Sequence, residues 1–448
     1  MALHFSCDDI LLRQRAEDTL TRARALGASA AEARVSESVG QSVTVRHGDV
    51  EHIEHTRDKS LEVSVYLGRR LGCASTSDLS PEAVRDTVEA AFNIARFTAE
   101  DPCAGLPDTG LLAWGAPDPN LFYPAALENE NLTCSAIENA RRCEAAARSY
   151  DARIRNSEGA SASAHMARFV LANSLGFMGG YPLSRYDLSC SVIAGEGAAM
   201  QRDYWYDSRR NADFLSTPET VGNIAARRAV ARLGAKKIRS GVFPVLFPPE
   251  LAAGLLRNFV HAASGGALYR KTSFLTEQLG ARIFPEGFFL RETPSLPAAL
   301  ASRPFDADGV RTLERDVVTD GVLQGYFLGV YSGRKLGLPS TGNAGGCHNL
   351  SLKPGALDFP GLLREMRRGL VLSELLGDGV NYVTGDYSRG AAGFWVEEGE
   401  IAHPVEEITI AGRLQDMFRG IRAIGGDVEV HGALRTPSLL LEGMVLAA

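Results

Sequence analysis

The strongest constraint on the fold is a pattern that occurs twice in the first half of the chain. The segments LSPEAV at 79–84 and LSTPETV at 215–221 each combine a Ser or Thr with a following Pro and Glu. These residue types are preferred at the N-cap and in the first turn of a helix. Each such helix closes a stretch that starts with another helix and passes through strand-like runs. The repetition predicts two duplicated helix–β-meander–helix units.

Hydrophobic spacing defines the contents of each unit. In the first unit a helix over 8–26 precedes four short strands, which we expect at 41–48, 50–56, 60–68 and 71–77. In the second unit a helix over 131–150 precedes the strand-like runs ASASAHMARFVLAN, LSRYDLSCSVIAG and MQRDYWYD. A loop rich in Pro and Gly, 101–120, separates the units. We therefore predict an N-terminal α+β unit over 1–105 and a central α+β unit over 125–235.

The last part of the chain, 241–448, has a different pattern. A strand, VFPVLF, stops at Pro248-Pro249, and a helix follows from near Glu250 to near His261, where Gly265 and Gly266 are expected to break it. Beyond this helix the signals are mostly β, with hairpin turns at 320–321 and near 398–399. The sequence predicts a β-rich C-terminal domain with one or two helices, one near LLREMRRG. The expected fold class is α+β.

Composition excludes several classes of function. The net charge of −7 argues against a basic face for nucleic acid. No stretch reaches the ~20 apolar residues of a membrane span, and the acidic N-terminus does not resemble a signal peptide. The seven cysteines contain no CxxC pair and are odd in number, so reduced thiols are the simplest interpretation. We expect a cytoplasmic protein that binds neither nucleic acid nor membrane.

The segment HAASGGALYRKTSFL, 261–275, has the outline of a metal-binding helix without its metal-binding groups. Helix-borne zinc sites place two histidines about one turn apart, with a glutamate beside the first. Here small residues and glycines follow His261. One histidine cannot hold zinc, so the spacing favours a helix-terminal histidine over a metal ligand.

The pair Cys347-His348 is a weaker candidate. Catalytic Cys and His side chains meet in space rather than as sequence neighbours, and neighbours on an extended segment point to opposite faces. A Gly-rich loop with a buried cysteine is the better interpretation. The glycines of this region and of 264–271 lack the spacing of a nucleotide-binding loop. The residues themselves thus contain no complete catalytic constellation and leave the function open.

Several longer segments resemble the TldD/PmbA family, and specifically its PmbA branch, also called TldE. The clearest is GVNYVTGDYSRGAAGFWVEEGEIAHPVEEITIAG at 379–412, and the likeness extends to LYRKTSFL, YSGRKLGLPSTGNAGGCHNL, GEGAAMQRDYWYD and ITIAGRLQDMF. It covers nearly the whole chain.

The resemblance indicates which positions of this sequence correspond to the zinc-binding residues of the TldD branch. Proteins of the TldD branch carry HExxxH at the end of the corresponding helix, and a distal cysteine completes their zinc site. Here the first histidine is His261, the glutamate position is Ala262 and the second histidine position is Gly266, with Gly265 just before it. The segment GGDVEVHGALRTPS contains no distal cysteine. The resemblance therefore implies no metal ligand and no catalytic residue in this chain, with zinc bound by a partner subunit.

The function implied is that of a metal-free subunit, which joins a homologous TldD-type subunit in a heteromeric protease acting on unfolded or extended peptides. Without that partner, a homodimer is the alternative assembly. Two other functions stay open: a stand-alone peptidase or hydrolase with an unrecognised site, and a regulatory binding protein without proteolysis. Candidates for the peptide channel or the interface are Arg270, Lys271, Asn343, Gly345, Gly346, His348, Arg389 and Phe394.

Overall fold

The first half of the chain consists of two units with the same order of elements. The structure, a computed structural model, describes residues 2–448. The first unit contains α1 (Asp9–Ala25), β1 (Ala30–Arg46), β2 (Asp49–Leu67), β3 (Arg70–Thr76) and α2 (Pro81–Phe97). The second contains α3 (Leu132–Ser149), β4 (Ile154–Asn173), β5 (Met178–Ala194), β6 (Gln201–Arg209) and α4 (Pro218–Ala231). The predicted duplication of helix–β-meander–helix units is confirmed.

The closing helices of the two units begin with the same kind of cap. The Ser80 hydroxyl accepts a hydrogen bond from the backbone N–H of Ala83 at 3.3 Å, and Pro follows in the first turn of α2. In α4 the Thr217 hydroxyl accepts from the N–H of Thr220, also at 3.3 Å. Each cap satisfies a backbone donor that has no partner within the helix.

The strands of the first unit are longer than expected. The predicted strands at 50–56 and 60–68 form one strand, β2, and β1 begins at Ala30 rather than near 41. The turn between them has left-handed φ at His47 and Gly48 (55° and 84°). The buried Glu144 carboxylate accepts the backbone N–H of both turn residues at 2.8 Å. The contact from α3 of the other unit explains why a local pattern underestimates this hairpin.

The two units join into one six-stranded sheet with the order β3-β2-β1-β4-β5-β6. β1 pairs antiparallel with β4 from Glu32↔Asn173 to Val45↔Ala160. The helices cover one face, where Val35, Val63 and Ala91 form part of the core. On the opposite face the rings of Phe169 and Tyr181 contact Phe305 from the C-terminal part at 6.0 and 5.6 Å. The face without helices therefore meets the C-terminal domain.

The C-terminal part is rich in β-strands, as predicted. Its helices are α5 (Pro249–Ala262), α6 (Gly265–Tyr269), α7 (Val330–Leu336), α8 (Phe359–Met366) and α9 (Leu414–Arg419). Its strands are β7 (Gly241–Phe247), β8 (Leu290–Glu292), β9 (Arg315–Thr319), β10 (Val322–Leu323), β11 (Leu350–Leu352), β12 (Gly369–Val380), β13 (Asp386–Glu397), β14 (Glu400–Arg413), β15 (Ile421–Ile424), β16 (Glu429–His431), β17 (Leu434–Thr436) and β18 (Leu439–Ala447).

These strands form two sheets around one core. The first has the order β14-β13-β12-β7-β18-β15, and β14 also pairs with β18 through Thr409↔Ala447 and Ile410↔Leu446, so five strands close on themselves. The second has the order β10-β9-β8-β11-β17-β16. Leu255 and Phe259 of α5 belong to the core that both sheets share. α5 is therefore held by the interior of the domain along most of its length.

Both predicted hairpin turns are present. Asp320 and Gly321 have φ of 50° and 77°, and Glu398 and Gly399 have φ of 53° and 83°. Two successive left-handed residues define the two-residue turn that matches the twist of antiparallel strands. The hairpins β9–β10 and β13–β14 thus follow directly from local sequence.

The helix carrying His261 ends next to that residue, as predicted, but Gly265 and Gly266 have a different role from the one expected. α5 already ends at Ala262, and Gly265 and Gly266 begin the short helix α6 instead of only breaking α5. The backbone N–H of Gly265 donates to the Phe327 carbonyl at 2.9 Å. A Cβ on Gly265 would lie 2.2 Å from the Ser332 hydroxyl of α7. Gly265 is therefore required by the close approach of two helices. Within residues 2–448 no helix is long and apolar enough to cross a membrane.

Close packing between α3 and α4 gives a test of the fold. A Cβ on Gly222 of α4 would lie 2.1 Å from the Cys143 carbonyl oxygen of α3. We expect Gly222→Ala to lower the free energy of unfolding by about 1–3 kcal/mol, because overpacking outweighs the gain in helix propensity. Gly254→Ala in α5 is the matched control, since its Cβ would meet no atom within 4 Å. Chemical denaturation of both variants measures the difference, and equal stabilities would contradict the close packing.

Candidate functional site

His261 is held at the end of α5 by an aromatic contact. Its exposed ring lies on the ring of Tyr382, with centroids 4.1 Å apart and planes inclined by 34°. The Tyr382 hydroxyl donates to Oδ1 of Asn258 at 2.9 Å. Asn258 precedes His261 by about one helical turn, so α5 contacts both the ring and the hydroxyl of the tyrosine. The orientation of His261 is thus explained without a metal ion.

Arg389, a predicted channel residue, belongs to the same cluster. Burial raises the pKa of Tyr382, the charge of Asp378 adds to this, and the Arg389 guanidinium opposes it. Burial also raises the pKa of Tyr387 to about 12, again opposed by Arg389. The Nε of Arg389 is buried and has no hydrogen-bond partner in residues 2–448. Arg389 thus acts through its charge on the same tyrosine that the His261 ring contacts.

The other positions of the zinc motif do not fit a metal ion. Ala262 is fully buried in the C-terminal core, and its carbonyl accepts a hydrogen bond from the Ser273 hydroxyl at 2.6 Å. Gly266 offers no ligand, and a Cβ there would lie 3.1 Å from Nη2 of Arg270. Within residues 2–448, His261 belongs to no group of three His, Cys, Asp or Glu side chains able to share an ion. The donors at this end of α5 are too few for zinc.

Arg270 and Lys271 lie on the surface directly after α6. The Arg270 guanidinium lies 5.3 Å from the centroid of the Tyr269 ring, and its Nη1 donates to the Tyr269 hydroxyl at 3.2 Å. Lys271 has a left-handed φ of 56°, and its N–H donates to the Leu268 carbonyl at 2.9 Å. Both side chains are exposed, so their charges are available to a ligand or a partner.

Asn343 and His348 are buried, and both are tied to the buried carboxylate of Glu292. Nδ2 of Asn343 donates to Glu292 Oε1 at 2.8 Å, and the backbone N–H of His348 donates to the same oxygen at 2.7 Å. Nε2 of His348 lies 2.8 Å from the Gly342 carbonyl oxygen. Arg315 completes the network through an ion pair with Glu292 at 2.8 Å. These contacts hold the loop 341–348 against β8.

The same loop contains Gly345 and Gly346, whose φ values are 91° and 116°. Between them and the buried histidine lies Cys347, and burial raises the pKa of its thiol to about 12. Burial also lowers the pKa of His348, so its imidazole is neutral at pH 7. Because its pKa lies far above 7, the Cys347 thiol is protonated at neutral pH. The pair does not form an activated nucleophile, in agreement with the interpretation of a structural loop.

Phe394 lies elsewhere, in a cavity of about 700 Å³ between the central unit and the C-terminal domain. Its apolar lining includes Trp205, Ile401 and Pro404. Glu250 at the start of α5 and Glu429 on β16 also reach it. The predicted residues are thus divided between the two ends of α5, the surface after α6 and the loop 341–348.

Sequence analysis missed a second group of donors. Glu250, Glu429 and His431 place ligand atoms within 4.8 Å of one another. His431 is buried, its Nε2 lies 3.0 Å from Glu429 Oε2, and its Nδ1 lies 3.3 Å from the Tyr206 hydroxyl. Glu250 forms an ion pair with Arg228 at 2.7 Å. The alternation Glu-x-His at 429–431 was a local signal, because such residues share a strand face, but nothing local indicated Glu250.

Family models match almost the entire chain. They are the PmbA/TldA metallopeptidase domain 1 over residues 31–95, the central domain over 133–233 and the C-terminal domain over 240–448. The chain is 48% identical over 417 residues to Metalloprotease PmbA of Escherichia coli O157:H7, covering 93% of this chain and 92% of that protein. It is 46% identical over 437 residues to the Metalloprotease PmbA homolog of Haemophilus influenzae, covering 97% and 96%.

Solved structures show the same fold over nearly the whole chain. A Bacteroides thetaiotaomicron protein named as a candidate modulator of DNA gyrase superposes with a TM-score of 0.90 at 28% identity, covering 97% of this chain and 98% of that one. TldE from Thermococcus kodakarensis shares the fold, with a TM-score of 0.86 at 20% identity, covering 97% and 100%. With all three family domains matched in order, the chain belongs to the PmbA/TldD metallopeptidase family, in its PmbA/TldE branch.

Proposed function

We propose that this chain is the metal-free subunit of a heteromeric metalloprotease, in which a TldD-type subunit supplies the zinc site. The complex degrades or trims unfolded peptides. The cytoplasm is the proposed location, which the seven free cysteines within residues 2–448 support. In the absence of the partner, the chain forms a homodimer.

The observation that carries this proposal is the donor set at the end of α5. His261 is a single imidazole that lies on the Tyr382 ring, the Ala262 side chain is part of the core, and Gly266 has no side chain. A catalytic zinc usually has three protein ligands and a nearby base. A chain of this family that lacks them needs a second subunit to take part in metal-dependent proteolysis.

The large cavity supports a role in holding peptides. It is lined by Trp205, Phe394, Ile401 and Pro404, and it borders β16, the outer strand of its sheet. An outer strand offers unpaired backbone groups to an extended peptide, and backbone pairing tolerates many side chains. An apolar cavity beside such a strand suits unfolded segments of varied sequence.

One observation favours the alternative of a stand-alone hydrolase. The group Glu250, Glu429 and His431 contains enough donors for a metal ion. Against this, Arg228 already neutralises Glu250, and both ring nitrogens of His431 have partners. The remaining alternative, a regulatory binding protein without proteolysis, requires neither a metal site at the end of α5 nor one at Glu250, Glu429 and His431.

Metal analysis distinguishes the metal-free subunit from the stand-alone hydrolase. We expect the chain, purified without a histidine tag, to contain far less than one zinc ion per chain, because the donors near His261 are too few. Elemental analysis of the wild type, His261→Ala and His431→Ala measures this. A stoichiometric zinc lost in His261→Ala would contradict our interpretation of the α5 end. One lost only in His431→Ala would favour the stand-alone enzyme.

Restoring the motif residues should not restore activity. In Ala262→Glu/Gly266→His, the Cβ of the histidine meets only the flexible end of Arg270, but the glutamate enters an apolar core. We expect a loss of stability of a few kcal/mol from the buried carboxylate and no chelator-sensitive peptidase activity. Gly266→His alone is the control for steric tolerance. Peptide cleavage by the folded double variant, abolished by a chelator, would refute this prediction.

The partner dependence can be tested by mixing purified subunits. We expect this chain and a TldD-type subunit together to cleave an unfolded peptide, and each alone to be weak or inactive. Replacing the motif glutamate of the partner should abolish cleavage, because it is the proposed base. His261→Ala in this chain should leave most of the activity, because its contact with Tyr382 is not catalytic.

The measurement is peptide cleavage in the mixture, with complex formation followed by size-exclusion chromatography. If His261→Ala abolishes turnover as completely as the partner variant while the complex still forms, His261 is catalytic. The proposal of a metal-free, non-catalytic subunit would then be wrong. Full activity of this chain alone would contradict the proposal in a second way.

A further inference from the structure

A second cavity, of about 230 Å³, lies on the face of the six-stranded sheet that carries no helices. Its walls come from β1, β4 and β5 on one side and from the loop 302–307 of the C-terminal domain on the other. Four arginines from separate segments line it: Arg34, Arg168, Arg210 and Arg303. The Arg168 side chain points to the helix-covered face, where it contacts Phe5 and Glu37, so Arg34, Arg210 and Arg303 supply the guanidiniums on the cavity side. We name this space the arginine cavity.

Two of these arginines have no polar partner in the protein. The side chains of Arg34 and Arg303 make no hydrogen bond or ion pair with any residue in 2–448, although Arg34 lies 4.9 Å from the centroid of the Phe169 ring. A guanidinium carries five donors in a planar fork. These donors at the wall of one cavity are free to bind an acceptor from a ligand.

The other two arginines are only partly satisfied. Arg210 donates to the carbonyls of Ser184 and Leu300 at 3.0 and 2.7 Å, and Arg168 pairs with Glu37 at 3.2 Å. The Nε atoms of both are buried without a partner. Burial lowers the pKa of Arg210 to about 10, with Arg303 among the charges that add to the shift. Desolvation of Arg210 is thus not offset by a counterion.

The carboxylates of the cavity do not balance these charges. Glu37 lies with Arg168 on the helix-covered face, which leaves Asp306 as the acidic lining residue on the cavity side. Glu37 accepts hydrogen bonds from Ser6 at 2.6 and 2.7 Å besides its pair with Arg168. Asp306 accepts three backbone N–H groups, and burial together with the charge of Asp308 raises its pKa to about 7. On the cavity side, three guanidiniums therefore stand against one lining carboxylate.

We propose that the arginine cavity binds a carboxylate of an extended peptide, either its C-terminal carboxylate or an acidic side chain. Planar guanidinium forks match the geometry of a carboxylate, and the cavity volume admits a group of that size. Arg303 is exposed and forms the entrance, where its Nη1 lies near Gly345 of the loop 341–348. The inference rests on the proposed role in peptide processing, and it assigns this chain the recognition of negative charge on the substrate.

The test uses the full chain without any partner, at low ionic strength. Isothermal titration calorimetry compares four probes: acetylated trialanine with a free carboxylate, its amide, an acetylated peptide amide with one glutamate side chain, and inorganic phosphate. We expect at least one carboxylate-bearing peptide to bind about tenfold more tightly than the uncharged amide, because hydrogen bonds between a guanidinium and a carboxylate are charge-assisted. The peptide that binds identifies the source of the carboxylate.

The variant Arg34→Gln/Arg303→Gln should reduce this affinity about tenfold or more for the same reason. It should fold normally, because neither guanidinium is hydrogen bonded in the protein. Arg303→Gln alone, at the exposed entrance, is a second and milder variant. Arg419→Gln is the matched control, because Arg419 is exposed and lies outside the cavity. It should leave the affinity unchanged.

Three results would overturn the proposal: equal binding of acid and amide peptides, undiminished binding to the folded double variant, or phosphate binding more tightly than every peptide. The last result would indicate an oxyanion site for a different ligand. Failure of the mixed subunits to cleave peptide, with carboxylate binding intact, would refute the proposed protease role and leave this site standing. The two hypotheses are therefore separable.

Discussion

The pairing of β1 with β4 is the interaction on which the rest of the architecture depends. It runs from Glu32↔Asn173 to Val45↔Ala160 and converts two small three-stranded units into one sheet. Three strands with two helices provide only a small core for each unit. The joined sheet has a continuous face free of helices, and the C-terminal domain covers it through contacts such as Tyr181–Phe305. The arginine cavity exists only because these three parts meet.

Helix α5 connects the two ends of the candidate site. Its buried side is part of the C-terminal core, so its position is determined by packing. Its first turn carries Glu250 beside Glu429 and His431, and its last turn carries His261 on Tyr382. In this chain, the positions that follow His261 have packing roles. Ala262 fills the core, and the absence of a side chain at Gly265 allows the close approach of α7.

The loop 341–348 shows how a segment with buried polar side chains can have a structural rather than a chemical role. Glu292 is buried, and its charge is met by Arg315, Asn343 and the backbone of His348. A buried carboxylate with this many partners is costly to disturb. The network places Gly345 beside Arg303, and so links this loop to the entrance of the arginine cavity.

The sequence alone determined the features that depend on near neighbours. The caps at Ser80 and Thr217, the hairpin turns at 320–321 and 398–399, and the α+β class follow from local residue preferences and periodicity. The absence of zinc ligands after His261 could also be read directly, and resemblance identified the family. Strand lengths could not be predicted, because Glu144 and β4 stabilise the first hairpin from outside it.

Only the tertiary structure decided which distant residues share a site. Arg34, Arg168, Arg210 and Arg303 come from four segments, and Glu250 meets His431 across a long sequence interval. No local sequence pattern indicates such contacts, because they arise from sheet order and from the burial of apolar faces. For the same reason the sequence could not show that Phe394 of β13 would line the cavity at the start of α5.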